Sequence, residues 1–526
     1  MSRSFLLLLC IVMTGMLAPS FGQEQTVKPD SALPAILRGL EGTPLSLAQA
    51  TDAALSNATS VRKAQAAALA AHGAVRREAG LFDPELFFNM NYIDQQTPTA
   101  SFFSGAPILL TTETDSKTGL RMDLPIGTKL EAAMNTVRLK TNSAFANLNP
   151  QYTAFGSLSI RQPLLGGFSA SGRKALNRSE HEADAAEARY EQEVITTTAE
   201  VERRYWDLYA AERNYAVQKL IVEQSESFLR ETLVRANTGL IGPNQVASAR
   251  TFLAEQRLQL LDKRESLDLL SDQFASTIGV RPPGTDGRYL TADAPPENIA
   301  VEPAETLINR ALETNLDLRA ANADVDAARA SASAAGWGVF PKLDIIGSIG
   351  GNGLAGQAQD VIFNGDTLHS TRGGSFTDAL HQVTSRDFPN WSIGLELKIP
   401  LGLRSGLGEK DRLDAEVVGA EARALERSRS LADQVRSAYR ELLHGKERLG
   451  ASREGVDAAQ EQVRVGLIEF HNGRSTAFEL VRLGADYASA QQRYSEALVR
   501  TAKAAATLRQ LTSGGRFDGV EPVRKE

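Results

Sequence analysis

Cysteine is almost absent from this sequence. The 526-residue chain has one cysteine, Cys10, which lies inside the apolar run from Phe5 to Met13, behind a basic N-terminal residue. Small residues at Ser20 and Gly22 follow the pattern of a cleavage site, so we predict a secretory signal peptide over residues 1–22. Processing there leaves a mature chain without cysteine, which excludes disulfides, thiol catalysis and cysteine metal sites. Lipidation of Cys10 is the less favoured interpretation, because no small residue precedes it.

Long apolar runs and an excess of basic residues are also missing. After the predicted signal peptide, no stretch approaches the roughly 18 uninterrupted apolar residues of a membrane-spanning helix. A mature chain that lies in a membrane would therefore do so through β-strands. The sequence has 57 lysines and arginines against 64 aspartates and glutamates, a net charge of -7. This balance makes nucleic acid a poor partner.

Motifs for catalysis, cofactors and metals are weak or missing. The segment GNGLAG, from Gly351 to Gly356, matches the dinucleotide pattern G-x-G-x-x-G. The sequence after it, QAQDVIFNGDT, makes no convincing helix N-terminus for a pyrophosphate, so we interpret the segment as part of a glycine-rich external loop. The six histidines include no pair at metal-ligand spacing, and no Walker A motif is present. We predict no enzyme activity, no cofactor and no metal site, and a passive protein that draws energy from a partner.

The sequence contains an internal twofold repeat. One set of residues recurs at an offset of 257: Leu55, Val61, Arg62 and Pro84 as Leu312, Leu318, Arg319 and Pro341. A second set recurs at an offset of 234: Val201, Tyr205, Leu208 and Gly239 as Val435, Tyr439, Leu442 and Gly473. Constant offsets within segments indicate repeated modules with different connectors. Each copy is predicted to contain a helix, a strand, a loop, a strand and two long helices.

The predicted segments follow from these offsets. After the signal peptide they are an N-terminal linker (23–44), a helix (45–84), membrane strands with an external loop (85–163), a long helical hairpin (164–282), a linker (283–302), a second helix (303–340), a second set of strands and loop (341–400), a second helical hairpin (401–511) and a polar C-terminal tail (512–526).

Two periodicities indicate what the modules form. Apolar residues from Ala186 to Leu208 recur every 11 residues, which lets long helices pack side by side with little drift. Between Trp391 and Ile399 apolar and polar residues alternate, as in a strand with one apolar face. Only four such strands are evident, too few to close a barrel or to build a sandwich. A barrel without open edges therefore needs several chains, each contributing four strands.

Two segments then resemble a known family. RANTGLIGPNQVASAR (Arg235 to Arg250) and FHNGRSTAFELVR (Phe470 to Arg482) are similar to the two helix-turn-helix tips of the TolC-type outer-membrane channels, and so is the repeated plan from about Leu45 to Leu511. The resemblance implies a mixed α and β homotrimer in outer-membrane lipid. Four strands from each chain would form a 12-stranded β-barrel, which continues into an α-helical barrel in the periplasm.

The resemblance also implies a function. The channel would be the passive exit duct of an inner-membrane transporter, reached through a periplasmic adaptor (membrane fusion) protein. Whether it serves a tripartite efflux pump or type I secretion stays open. The alternative is a soluble periplasmic coiled-coil scaffold with small sheets on a stalk.

The family plan implies which strand residues face the lumen and which segments are external loops. The polar positions that would face the lumen are Ser159, Arg161, Glu396 and Lys398. Segments 94–153 and 350–390 are interpreted as external loops. The first contains a further apparent hairpin over residues 118–134, which has no place in the simplest family plan.

The tips and the closed end supply the remaining candidates. We predict adaptor contact at the two turns: Gly239, Leu240, Ile241, Gly473 and Arg474. The resemblance implies a periplasmic gate with two acidic rings and polar links. Here Glu479 takes the first acidic position, Arg482 the second and Phe470 that of a linking tyrosine. Arg482 is placed to pair with Glu479, which gives a gate with less affinity for cations. The alternative is that these charges form an ordinary solvated helix face.

Overall fold

The computed structural model describes residues 29–513, apart from 167, 169–171, 240, 285–286, 364–365, 371–372 and 473. The predicted signal peptide, Leu240, Gly473 and most of the polar tail therefore lie outside the described residues.

Each repeat begins with two short helices and ends with two long ones. In the first repeat these are α2 (Leu47–Asn57), α3 (Thr59–Ala79), α4 (Lys174–Asn237) and α5 (Pro243–Ile278). In the second they are α6 (Ala304–Thr314), α7 (Leu316–Gly338), α9 (Arg404–His471) and α10 (Ala477–Thr512). Two further helices are α1 (Pro29–Arg38) and α8 (Phe376–Ser385). Among the helices that the structure describes, none combines the length and the apolarity needed to cross a membrane.

The prediction of a single helix at the start of each repeat is wrong. Ala58 separates α2 from α3, and Asn315 separates α6 from α7, because both residues have extended backbones with ψ of 127°. The Asn315 side chain accepts a hydrogen bond from the Leu318 amide, which begins the next helix. Ala58 makes no such bond, so its break could not be recognised from a capping residue.

The long helices follow the 11-residue pattern. Helix α4 has 64 residues and α9 has 68, which is about 100 Å at the usual rise per residue. The predicted apolar seam is buried: Val201, Tyr205 and Leu208 are fully covered, and so is Val435 in the second copy. These seams hold α4 against α5 and α10, and α9 against α10.

The main sheet has six strands from this chain. They are β2 (Glu85–Pro98), β3 (Ile108–Asp123), β4 (Lys129–Thr141), β5 (Leu148–Leu165), β7 (Lys342–Ala358) and β10 (Phe388–Lys398). Their order is β10-β7-β5-β4-β3-β2, and every neighbouring pair is antiparallel. The prediction of four strands per chain is therefore wrong: the unplaced hairpin at 118–134 is the turn end of two full strands.

The external loops were also predicted too long. Segment 94–153 contains β3, β4 and parts of β2 and β5, and segment 350–390 contains the ends of β7 and β10 with helix α8 between them. A small hairpin, β8 (Val361–Phe363) with β9 (Asp366–Leu368), precedes α8. The GNGLAG segment lies within β7 and not in a loop.

The two predicted linkers meet in a small parallel sheet. Strand β1 (Thr43–Leu45) pairs with β6 (Tyr289–Thr291) beside the middle of α4. The Tyr205 hydroxyl accepts hydrogen bonds from the amides of Ala292 and Asp293, each at 2.9 Å. Two turns further along α4, Glu212 accepts hydrogen bonds from the amide and the hydroxyl of Thr291, each at 2.7 Å. The small sheet thus packs against α4, with Tyr289 buried in the core.

Candidate functional site

One face of the six-stranded sheet carries a network of ion pairs. At the end of the sheet that joins the long helices, Arg121 on β3 pairs with Glu85 on β2, both nitrogen to oxygen distances being 2.8 Å. Lys117 on β3 pairs with Glu131 on β4 at 2.8 Å. Opposite charges on adjacent strands stabilise the pairing of those strands. We call this surface the polar face.

Three of the four predicted strand residues take part in one ion-pair cluster on the polar face. Arg161 on β5 contacts Asp344 on β7 at 2.9 Å and Glu396 on β10 at 2.5 Å. Lys398 contacts the other oxygen of Glu396 at 2.5 Å. Ser159 lies on the same face, where its hydroxyl donates a hydrogen bond to the Glu131 carbonyl oxygen at 3.3 Å.

Sequence reasoning missed the residues of the polar face on β3 and β4. The missed ion-pair residues are Lys117, Arg121, Asp123, Lys129 and Glu131. The signal was present, because from Glu113 to Asp123 every second residue of β3 but one is charged. These charged residues are Glu113, Asp115, Lys117, Arg121 and Asp123. The exception is Gly119, which lies on the same face.

The opposite face of the sheet is exposed and is apolar toward the helical end, whereas Asp94, Arg138 and Lys140 lie on it near the loop end. On β10, Trp391, Ile393 and Leu395 each expose more than 70% of their surface. On the other edge, β2 exposes Leu86 and Phe88. The register places all these positions on the same side: Leu86, Leu120, Ala132, Leu158, Ile349 and Trp391 follow one another across the sheet. We call this surface the apolar face.

Helix α8 covers part of the apolar face near the loop end of the sheet. Val383 and Ala379 of α8 are buried against Ala154 and Ala355 of the strands. A Cβ atom at Gly353 would overlap the Ala379 carbonyl oxygen. Only glycine lets the helix backbone approach β7 so closely.

The two turns between the long helices form the tips. Gly239 has a φ of 73°, a conformation that favours glycine, and the first tip continues through Ile241 to the cap at Gly242. Ile241 is half-buried. In the second tip Arg474 is exposed, and its amide donates a hydrogen bond to the Glu469 carbonyl oxygen. Leu240 and Gly473 lie outside the described residues.

The three predicted gate residues lie beside the second tip. Glu479 is in the first turn of α10, where its amide donates to the hydroxyl of Thr476. Arg482 reaches back to the Glu479 carboxylate, with a nitrogen to oxygen distance of 3.3 Å. Phe470 is half-buried in the last turn of α9.

The largest shifts in pKa are those of two residues in the middle of α4. Burial raises the pKa of Glu212 to about 7, although its bonds from Thr291 and the charge of Arg213 oppose the shift. Burial also raises the pKa of Tyr205 to about 12. Across the described ranges, no group of three or more His, Cys, Asp or Glu residues could hold a metal ion.

Comparison with known proteins identifies the family. The model of the family described as "Outer membrane efflux protein" matches residues 50–279 and 307–514. The chain belongs to this family. Among curated proteins, no sequence matches the chain.

Several solved channels share the fold of this outer membrane efflux protein. The outer-membrane channel OprN is 17% identical, covers 89% of this chain and 90% of its own, and has a TM-score of 0.62. The open state of the Neisseria gonorrhoeae MtrE channel is 16% identical, with 90% and 91% covered and a TM-score of 0.60. Campylobacter jejuni CmeC is 13% identical, with 90% and 87% covered and a TM-score of 0.61.

Membership of the family confirms the predicted class of protein. An outer membrane efflux protein is a channel in the outer membrane that extends into the periplasm and through which efflux pumps discharge. Channels of this family are trimeric, and the family is one of channels and not an enzyme family. Nothing in these likenesses supports the soluble scaffold.

Proposed function

We propose that three copies of this chain join edge to edge, and that the polar face lines the lumen of the resulting barrel. The observation that carries the proposal is the separation of charge across the sheet: the ion pairs of Arg121, Lys117 and Arg161 all lie on one face. The other face presents Trp391 and Ile393 to the surroundings. A wall with water on one side and lipid on the other requires this arrangement.

The edges of the sheet supply the reason for assembly. Strand β2 has a partner on one side only, and so does β10, among the residues that the structure describes. Open edges of this length are costly in lipid, because the backbone groups cannot bond to water there. When the β2 edge of one copy pairs with the β10 edge of the next, the backbone groups of both edges form hydrogen bonds.

The long helices then continue the lumen as a tunnel, and their tips bind a periplasmic adaptor protein. Exposed apolar side chains flank both turns: Val234 at the end of α4, Ile468 at the end of α9 and Phe478 at the start of α10. Together with Gly239, Ile241 and Arg474 they form a surface that a helical partner can cover. We assign Leu240 and Gly473 to the same contact from their sequence positions in the two turns. An inner-membrane transporter behind the adaptor supplies the energy.

We assign the gate to the ring of Glu479 and Arg482 at the entrance. In a trimer three copies of Glu479 surround one axis, where they attract cations. The contact with Arg482 offsets that charge, so the entrance is weakly selective. The half-buried Phe470 ring has no hydroxyl, so its side chain cannot make the hydrogen bond of a linking tyrosine.

Cell fractionation tests this assignment as a whole. We expect the protein in the detergent-extracted outer membrane, as a trimer that runs differently in gels before and after heating. A folded monomer released by osmotic shock, without detergent, would show that the sheet is not a membrane wall.

A further inference from the structure

We propose that the barrel of this channel has eighteen strands, six from each of three chains. Because barrel diameter grows roughly in proportion to strand number, its lumen is about 1.5 times as wide as that of a barrel with four strands per chain. The inference rests on the trimer of the proposed function. It concerns strands β3 and β4, which raise the number of wall strands in each chain from four to six.

Strands β3 and β4 are long enough to be part of a membrane wall. They have 16 and 13 residues, whereas a tilted strand needs about 9 to 11 to cross the bilayer. Strand β3 pairs along the whole of β2, and β4 pairs with β5 over Gln151–Arg161. Strand β3 pairs with β2 from Arg121 opposite Glu85 to Ile108 opposite Pro98, and β4 pairs with β5 without a bulge.

The two faces of β3 match the two faces of the whole sheet. The five charged residues of this strand all point to the polar face. Every position on its apolar face is uncharged: Ile108, Leu110, Thr112, Thr114, Ser116, Thr118, Leu120 and Met122. A hairpin that folded into the lumen or stood above the membrane would have water on both sides and no reason for this separation.

An ion pair joins the hairpin to β2, and a side-chain hydrogen bond joins it to β5. Arg121 binds Glu85 of β2, and Lys117 binds Glu131 within the hairpin. Ser159 of β5 donates to the Glu131 carbonyl oxygen. The polar face is therefore continuous from β2 through β3 and β4 to β5.

The turn of the hairpin lies at the helical end of the sheet. The Leu124 amide donates to the Thr128 carbonyl oxygen, and Gly127 has a φ of 85°. A Cβ atom at Gly172, just before α4, would lie 3.2 Å from the Pro125 carbonyl oxygen. Since the turn reaches the start of the tunnel helix, both strands run the whole height of the wall.

The addition of two strands also preserves closure. All six strands alternate in direction, so β2 and β10 run antiparallel to each other. The β2 edge of one copy can therefore pair with the β10 edge of the next in the same antiparallel way. One additional strand would have made the closing pair parallel, but a hairpin does not.

Electron cryomicroscopy of the purified trimer counts the strands directly. We expect eighteen in the full chain, and twelve in a variant that lacks residues 108–141 and joins the preceding loop to Asn142. In that variant β2 and β5 become antiparallel neighbours, so it is a matched control with the four-strand plan. A full-chain trimer with twelve wall strands would overturn this inference and leave the proposed function intact. A monomer would overturn the proposed function itself.

Single cysteines test the wall even where the deletion fails to fold. The only cysteine of the chain is Cys10, in the predicted signal peptide. We expect a fluorophore on L120C to be quenched by brominated lipid, and K117C to react with a charged, water-soluble thiol reagent instead. The controls are L158C and S159C, which occupy the same two faces on β5. Equal behaviour of L120C and K117C would place the hairpin outside the wall.

Discussion

Arg161 and Glu396 form an ion pair across an intervening strand. Arg161 lies on β5, Glu396 lies on β10, and β7 runs between them. The same guanidinium nitrogen also contacts Asp344 of β7, which is directly opposite Glu396 in the register. Two carboxylates on adjacent strands repel each other, so Arg161 is the group that makes this part of the sheet compatible with both.

We expect Arg161→Gln to weaken the trimer, because it leaves Asp344 and Glu396 opposite each other without the guanidinium between them. The midpoint of heat dissociation, followed by gel mobility, should fall. The double variant R161Q/E396Q should recover much of the loss, since it removes the repulsion as well. The control is Lys63→Gln, which deletes the same charge from the exposed surface of α3. A double variant as weak as R161Q alone would contradict the role given to the charges.

At the entrance, we expect Arg482→Gln to increase selectivity for cations. The substitution removes the partner of Glu479, whose contact in the wild type is 3.3 Å, and exposes three carboxylates around the axis. Reversal potentials in planar bilayers under a salt gradient measure the change. Glu479→Gln should shift the potential in the opposite direction, and Lys63→Gln on α3 should leave it unchanged. If R482Q and E479Q shift it equally or not at all, these residues do not line the gate.

The sequence revealed the parts of the fold that are governed by local periodicity. The 11-residue seam of α4 placed Val201 and Leu208 in the core, and the alternation of β10 identified its two faces. The pairing of Arg482 with Glu479 was predictable because both lie within one helical turn. In contrast, the cluster of Arg161 depends on the register of three strands.

Two other features escaped for different reasons. Strand β3 places hydroxyls such as Thr114 and Ser116 on its apolar face, so the alternation of apolar and polar residues is weak. Charged and uncharged residues nevertheless alternate clearly along the strand. The glycines of β7 suggested a loop. Their reason is helix α8, which is remote in sequence and needs bare backbone beneath it.

The pKa of Glu212 predicts how stability changes with pH. Burial raises it to about 7, against about 4.3 in an unfolded chain. The folded protein therefore binds this proton more tightly, and stability falls as pH rises from about 4.3 to 7. Above pH 7 the buried charge costs on the order of 4 kcal/mol.

We therefore expect Glu212→Gln to raise the unfolding midpoint at pH 8 and to change it little at pH 4. The amide oxygen can still accept the hydrogen bond from the Thr291 amide. Circular dichroism of the detergent-solubilised protein measures the helical transition at both pH values. Glu223→Gln, on the exposed side of the same helix, is the control. An equal gain at pH 4 and pH 8 would mean that the gain does not come from the charge.

Helix α8 offers a test at the outer surface. We expect Gly353→Ala to displace α8, because the new methyl group would occupy the position of the Ala379 carbonyl oxygen. Such overpacking typically costs about 1 to 3 kcal/mol, and α8 is held on the strands by a small buried cluster that includes Ala379 and Val383. Trypsin added to intact cells should then cleave after Arg386, at the end of α8, faster than in the wild type. Gly394→Ala adds the same methyl group to β10, where no atom lies within 4 Å, and should leave cleavage unchanged. Both variants should still form trimers, since neither position touches the ion pairs of the polar face. Equal cleavage of the two variants would show that α8 does not depend on the bare backbone of β7 for its position.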